Sequence, residues 1–126
     1  MKSYVDLDQA RKLAEILPLE SADMCYIKGK ARLGFLYEEY KECGDTVLQE
    51  YEPCWSLASL YSILPNNEEK STYLTKGGWY MDPLEYNDKW WCEYKDCEGG
   101  LASVSADNPI DACYEMIIKL HELNLL

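Results

Sequence analysis

Positive charge is scarce in this sequence. Twelve Lys and Arg stand against 23 Asp and Glu, a formal net charge of −11 over 126 residues. Such a chain repels phosphate backbones and anionic bilayers, which argues against nucleic-acid or membrane binding through a basic face. Histidine is scarcer still: His121 is the only one, so few side chains could serve as a general base near neutral pH. Phe occurs once, against 11 Tyr and 4 Trp. Long apolar runs are missing, and the uncharged stretches are far too short to cross a bilayer. Asp6, Asp8, Arg11, Lys12 and Glu15 interrupt any signal-peptide core near the start. The expectation is a cytoplasmic protein in which the six cysteines stay reduced.

Catalytic signatures are also lacking. Neither GxSxG nor HExxH occurs. Thr75-Lys76-Gly77-Gly78 has neither the spacing of a P-loop nor a helix after it. His121 lies eight positions from Cys113, about 12 Å along a helix axis, too far for a Cys–His pair on that helix. Of the cysteines only Cys92 and Cys97 approach a metal-ligand spacing, as C-x4-C, and zinc wants two close pairs. Paired acids such as Glu38-Glu39, Glu68-Glu69 and Asp96 with Glu98 sit in polar stretches where carboxylates are solvated. No catalytic residue, cofactor or metal is therefore expected.

What is present is a globular pattern. Apolar residues make up 48% and charged residues 28%, enough for a folded core, and the length fits a single domain over 1–126. The acidity reads first as solubility. A nucleic-acid mimic is the minor alternative; it needs carboxylates along one face, and here they are scattered.

A short echo organises the chain. Leu13-Ala14-Glu15-Ile16-Leu17-Pro18 returns as Leu60-Tyr61-Ser62-Ile63-Leu64-Pro65, each copy closing an amphipathic run at a proline. The first helix is expected over 7–17, capped by Asp6 with Gln9 as capping-box partner. A second helix is expected over 54–64, opening at Pro53. A third, over 109–123, has Asn108 as cap, Pro109 in first position and an apolar face of Ile110, Cys113, Met116, Ile117, Leu120 and Leu123. A strand is expected over 22–28. Residues 30–44 fit strand plus loop, although a helix ending at Gly44 fits the spacing too. Residues 71–106 read as a β meander, with 71–75 and 79–81 flanking Lys76-Gly77-Gly78, then 89–95 and 101–105. The predicted fold class is α+β: an antiparallel meander with about three helices packed on one face.

Trp79, Tyr80, Tyr86, Trp90, Trp91 and Tyr94 crowd one short stretch. Aromatics favour strands, so packing explains some of them. Tyr and Trp also suit half-wet recognition surfaces. The candidate interaction face is therefore Trp79, Tyr80, Tyr86, Trp91 and Tyr94, using whichever point away from the helices. Alternation puts Trp90, Cys92 and Tyr94 on one side of the strand and Trp91 on the other, which assigns Trp90 to the core and Trp91 to the open face.

Glu20-Ser21-Ala22-Asp23-Met24, Pro53-Cys54-Trp55-Ser56-Leu57-Ala58 with Leu64-Pro65, and the tail from Ala106-Asp107-Asn108-Pro109 to Leu123 resemble a group of small uncharacterised acidic proteins of gut bacteria and their prophages or mobile elements. Residues 28–50 and 66–105 match that group poorly. The resemblance implies a phage-like accessory context and carries over no activity and no site residue. The leading expectation is a non-enzymatic, cytoplasmic protein that binds another protein or itself. The alternative is a small-ligand or carbohydrate-binding module built on the aromatic stretch.

Overall fold

The computed structural model describes residues 2–27, 30–33, 51–76 and 89–126. Its elements are α1 (Leu7–Ala14), β1 (Met24–Ile27), β2 (Lys30–Leu33), β3 (Tyr51–Cys54), α2 (Leu57–Ile63), β4 (Lys70–Lys76), β5 (Trp90–Asp96), β6 (Leu101–Ala106) and α3 (Pro109–Glu122). A single 3-10 turn, Leu19–Ser21, follows α1. The class is α+β and every described strand pairing is antiparallel. The strands form two three-stranded sheets: β4-β5-β6, with its consecutive strands side by side as in the expected meander, and a separate sheet ordered β2-β1-β3. The chain clusters into two compact units, 3–60 and 1–2 with 61–126.

In the unit of residues 3–60, α1 starts as the capping box requires. Asp6 accepts from the Gln9 N–H at 2.8 Å, and Gln9 accepts from the Asp6 N–H at 3.0 Å. Val5, Ala10 and Leu13 are fully buried. The helix closes at Ala14, three residues short of the expected end, because the Leu13 carbonyl accepts both the Ile16 and Leu17 N–H groups and Pro18 follows. α1 packs on β3, and Arg11 forks onto Glu52 at 2.8 and 3.3 Å.

The second helix corrects the sequence reading. Pro53 belongs to β3, opposite Cys25, and the helix begins at Leu57. A proline costs little on an outer strand, where one side lacks a ladder. Ser56 is the better cap. Its hydroxyl oxygen accepts from the Ser59 N–H at 3.3 Å and its carbonyl from the Leu60 N–H at 3.0 Å. Asp23 secures Ser56 in turn, accepting its N–H at 2.9 Å and its hydroxyl. Burial works against the Asp23 charge, but these bonds outweigh it and hold the carboxyl below its ordinary value. Trp55 is fully buried and its indole N–H reaches the Ser21 hydroxyl at 2.9 Å.

In the unit that holds 61–126, α3 packs on β6 and β5 and reaches β4. Asn108 accepts from the Asp111 N–H at 2.9 Å, and Lys2 pairs with the Asp111 carboxylate at 2.8 Å. Ile110, Cys113, Met116, Ile117 and Leu120 are fully buried, whereas Leu123 is half exposed. The helix ends in a Schellman turn. Asn124 takes φ 57°, the Leu125 N–H reaches the Leu120 carbonyl at 2.8 Å and the Asn124 N–H reaches that of His121 at 3.1 Å.

Candidate functional site

The register of β4-β5-β6 sorts its side chains into two faces. Directly opposed residues share a face, so the rows Leu74–Cys92–Val104 and Thr72–Tyr94–Ala102 lie on one side. Cys92 is fully buried and Tyr94 is 1% exposed, both on the α3 side. The other side carries the rows Thr75–Trp91–Ser105, Tyr73–Glu93–Ser103 and Ser71–Lys95–Leu101.

That second face is largely open to water. Leu101 is 78% exposed and Tyr73 49%, and Glu93, Lys95, Ser103 and Ser105 are exposed as well. The Lys95 ammonium stands 5.6 Å from the Tyr73 ring centre, a diagonal cross-strand cation–π contact. A concavity of about 620 Å³ is lined by Tyr73, Glu93, Lys95, Leu101 and Ser103 of this face and also by Tyr94, Ala102 and Lys119 from the α3 side of the sheet. It combines an aromatic ring, an aliphatic side chain, a hydroxyl and charges of both signs.

The five candidate residues fall apart in the structure. Trp91 lies on the open face, partly buried, beside Thr75 and Ser105. Tyr94 is a correction, because it points under α3, where its ring completes the core. Its hydroxyl donates to Asp96 at 2.9 Å, and burial with that bond pushes it up to about 12. Trp79, Tyr80 and Tyr86 lie outside the described residues, as do the proposed strand 79–81, the turn at Gly77-Gly78 and the stretch 34–44. Sequence reasoning missed Tyr73, Leu101 and Lys119. Tyr73 and Leu101 could have been found by carrying the alternation of Trp91, Glu93 and Lys95 across to both neighbouring strands.

The other chemical candidates are dispersed. His121 is exposed on the last turn of α3, whereas Cys113 faces the core. Cys92 and Cys113 meet inside that core. The bond to Cys113, together with burial, pushes the Cys92 thiol far up. Burial also pushes Cys54 up to about 12. Cys97 is exposed. Among the described residues, no three His, Cys, Asp or Glu side chains come together as a metal site, and no helix is long and apolar enough to cross a membrane. No family model, curated protein or solved structure matches this chain.

Proposed function

We propose that this is a non-enzymatic cytoplasmic protein that works by binding another protein, and that the partner sits on the open face of β4-β5-β6. The exposure of Leu101 and Tyr73 on one sheet face, beside Trp91, carries this reading. Covering a side chain such as Leu101 is worth about 1.5–3 kcal/mol, and the neighbouring Glu93 and Lys95 can fix orientation. The acidic composition disfavours nucleic acid as the partner. The resemblance at both chain ends and the middle helix supports, as part of the same proposal, a partner from a phage-like or mobile-element setting.

The test begins with capture from host lysate and identification of the retained protein. Calorimetry with the purified partner then compares the wild type with Tyr73→Ala and Trp91→Ala. Both variants should keep the wild-type circular dichroism spectrum and bind at least about tenfold more weakly. Unchanged affinity in both overturns the reading. The concavity beside Tyr73 favours one second reading, a small-ligand or carbohydrate site. Glycan binding that Tyr73→Ala abolishes would establish it instead.

A further inference from the structure

Four strands flank the two sheets among the described residues, and three of them carry features that discourage pairing with another chain. β2 holds Lys30 and Arg32, β3 holds Glu52 and Pro53, and β4 holds Lys70 and Lys76. Charges and prolines are the usual guards of a sheet edge. β6, Leu101-Ala102-Ser103-Val104-Ser105-Ala106, has neither.

The hydrogen-bond phase shows what this edge offers. The Asp96 N–H donates to the Gly100 carbonyl at 3.0 Å, and the Cys97 N–H donates to the Glu69 carbonyl at 2.9 Å. Even-numbered residues of β5 therefore bond towards β6 and odd-numbered ones towards β4. Carried along the register, Ala102, Val104 and Ala106 use their backbone groups on β5. The N–H and C=O groups of Leu101, Ser103 and Ser105 point away from it. All three residues are exposed, and 78% exposure of Leu101 fits a strand flanked on one side.

We propose that β6 is the pairing edge of a homodimer, in which two copies join β6 to β6 antiparallel across a two-fold axis at Ser103. Ser103 then opposes its own copy, and Leu101 opposes Ser105 of the second copy. These pairs keep each side chain on its own face and use every outward backbone group of the strand. The occupant is a second copy because the edge suits one by charge. The chain is strongly acidic, so two copies repel over most of their surface, but β6 is uncharged. The carboxylate at its end, Asp107, is already paired with Lys89. The small Ser side chains on the outer face leave room for close approach.

This inference rests on the reading that the protein works by association, and it names the edge and the occupant. Sedimentation velocity across a concentration series should show the wild type passing from monomer to dimer. Ser103→Pro removes an outward N–H without touching the β5–β6 ladder, and should weaken dimerisation by about tenfold or more with an unchanged monomer spectrum. Ser103→Lys guards against misfolding of the proline variant. It sets like charges directly opposite each other across the two-fold and should do the same. Amide exchange at Leu101, Ser103 and Ser105 should slow as the wild type dimerises. A wild type that stays monomeric to its solubility limit overturns the proposal, as does a dimer whose strength neither variant changes or whose three amides exchange freely. None of these outcomes decides the open-face reading, which depends on Tyr73→Ala and an identified partner.

Discussion

Asp96 and Gly100 lock the turn between β5 and β6 as a matched pair. The Asp96 carboxylate accepts the Gly100 N–H at 2.7 Å and the Glu98 N–H at 3.0 Å, and its second oxygen takes the Tyr94 hydroxyl. The carboxylate lies so close over Gly100 that a Cβ there would come within 2.9 Å of the Asp96 Cγ. Gly99, at φ 88°, supplies the left-handed residue that the turn needs.

That packing predicts a strong coupling. Gly100→Ala should lower the denaturation midpoint by pushing Asp96 off its partners. In an Asp96→Ala background the same change should cost far less, because the three atoms nearest the new methyl are gone. Denaturant melts of the four proteins in the cycle check it. Additive losses would show that the backbone, not the carboxylate, crowds position 100.

Acid should release the same turn. The Gly100 N–H, then the Tyr94 hydroxyl, holds the Asp96 carboxyl below its ordinary 3.8. A carboxyl lowered in the folded state adds stability above its unfolded value and loses it as pH falls through the folded value. The gap in midpoint between wild type and Asp96→Ala should be constant from neutral pH down to about pH 4 and narrow below it. A gap that stays flat through the lowest pH at which both proteins fold would remove Asp96 ionisation from the turn.

Asp23 should matter to α2 through Ser56. Asp23→Ala deprives the Ser56 N–H and hydroxyl of their acceptor. The expected loss is about 1–2 kcal/mol, towards the lower part of the range for charged hydrogen bonds because the site is partly solvated. Asp23→Asn should recover part of it by keeping one acceptor oxygen. Equal losses in both variants would mean that charge, rather than acceptance, is what α2 needs.

Local signals with one dominant cause were legible in the sequence. Asp6 with Gln9, and Asn108 with Pro109 and Asp111, are caps set by side chains within one turn, and both formed as read. The alternation of β5 also put Cys92 and Tyr94 on the α3 side, where both are buried, whereas Trp90, read as core from the same alternation, is only half-buried. Pro53 misled because two rules compete for it: proline favours a helix start and is equally tolerated on an outer strand. The deciding contact, Asp23 to Ser56, lies 33 positions apart in the chain. Division into two sheets was illegible for the same reason, since β1 pairs with β3 across the long stretch 28–50. The candidate face was half legible. The parity of Trp91 was readable, but Tyr73 and Leu101 join it only through the register of three strands.

Thiol reactivity should divide by burial. Cys25, Cys54, Cys92 and Cys113 are buried and Cys97 is exposed. A thiolate-specific reagent should modify Cys97 in the native protein and reach the other four only on unfolding. Burial reinforces this at Cys54, pushed up to about 12. Cys97→Ser should delete one equivalent from the fast phase. Fast native labelling of Cys92 or Cys113, located by peptide mapping, would show that α3 lifts from the sheet.

The packing of α3 gives the largest expected energies. Ile117 and Leu120 are fully buried on the face that covers β5 and β6, and truncating either removes several methyl groups and leaves a cavity. Ile117→Ala and Leu120→Ala should each cost about 2–5 kcal/mol. Glu115 points to solvent on the same helix, so Glu115→Ala should stay within about 0.5 kcal/mol of wild type. The contrast separates core packing from helix propensity, since alanine is at least as good a helix former at all three positions. Losses below about 1 kcal/mol for both core variants would mean that the stripe is not the core of its unit, and would turn it into a second candidate surface for a partner.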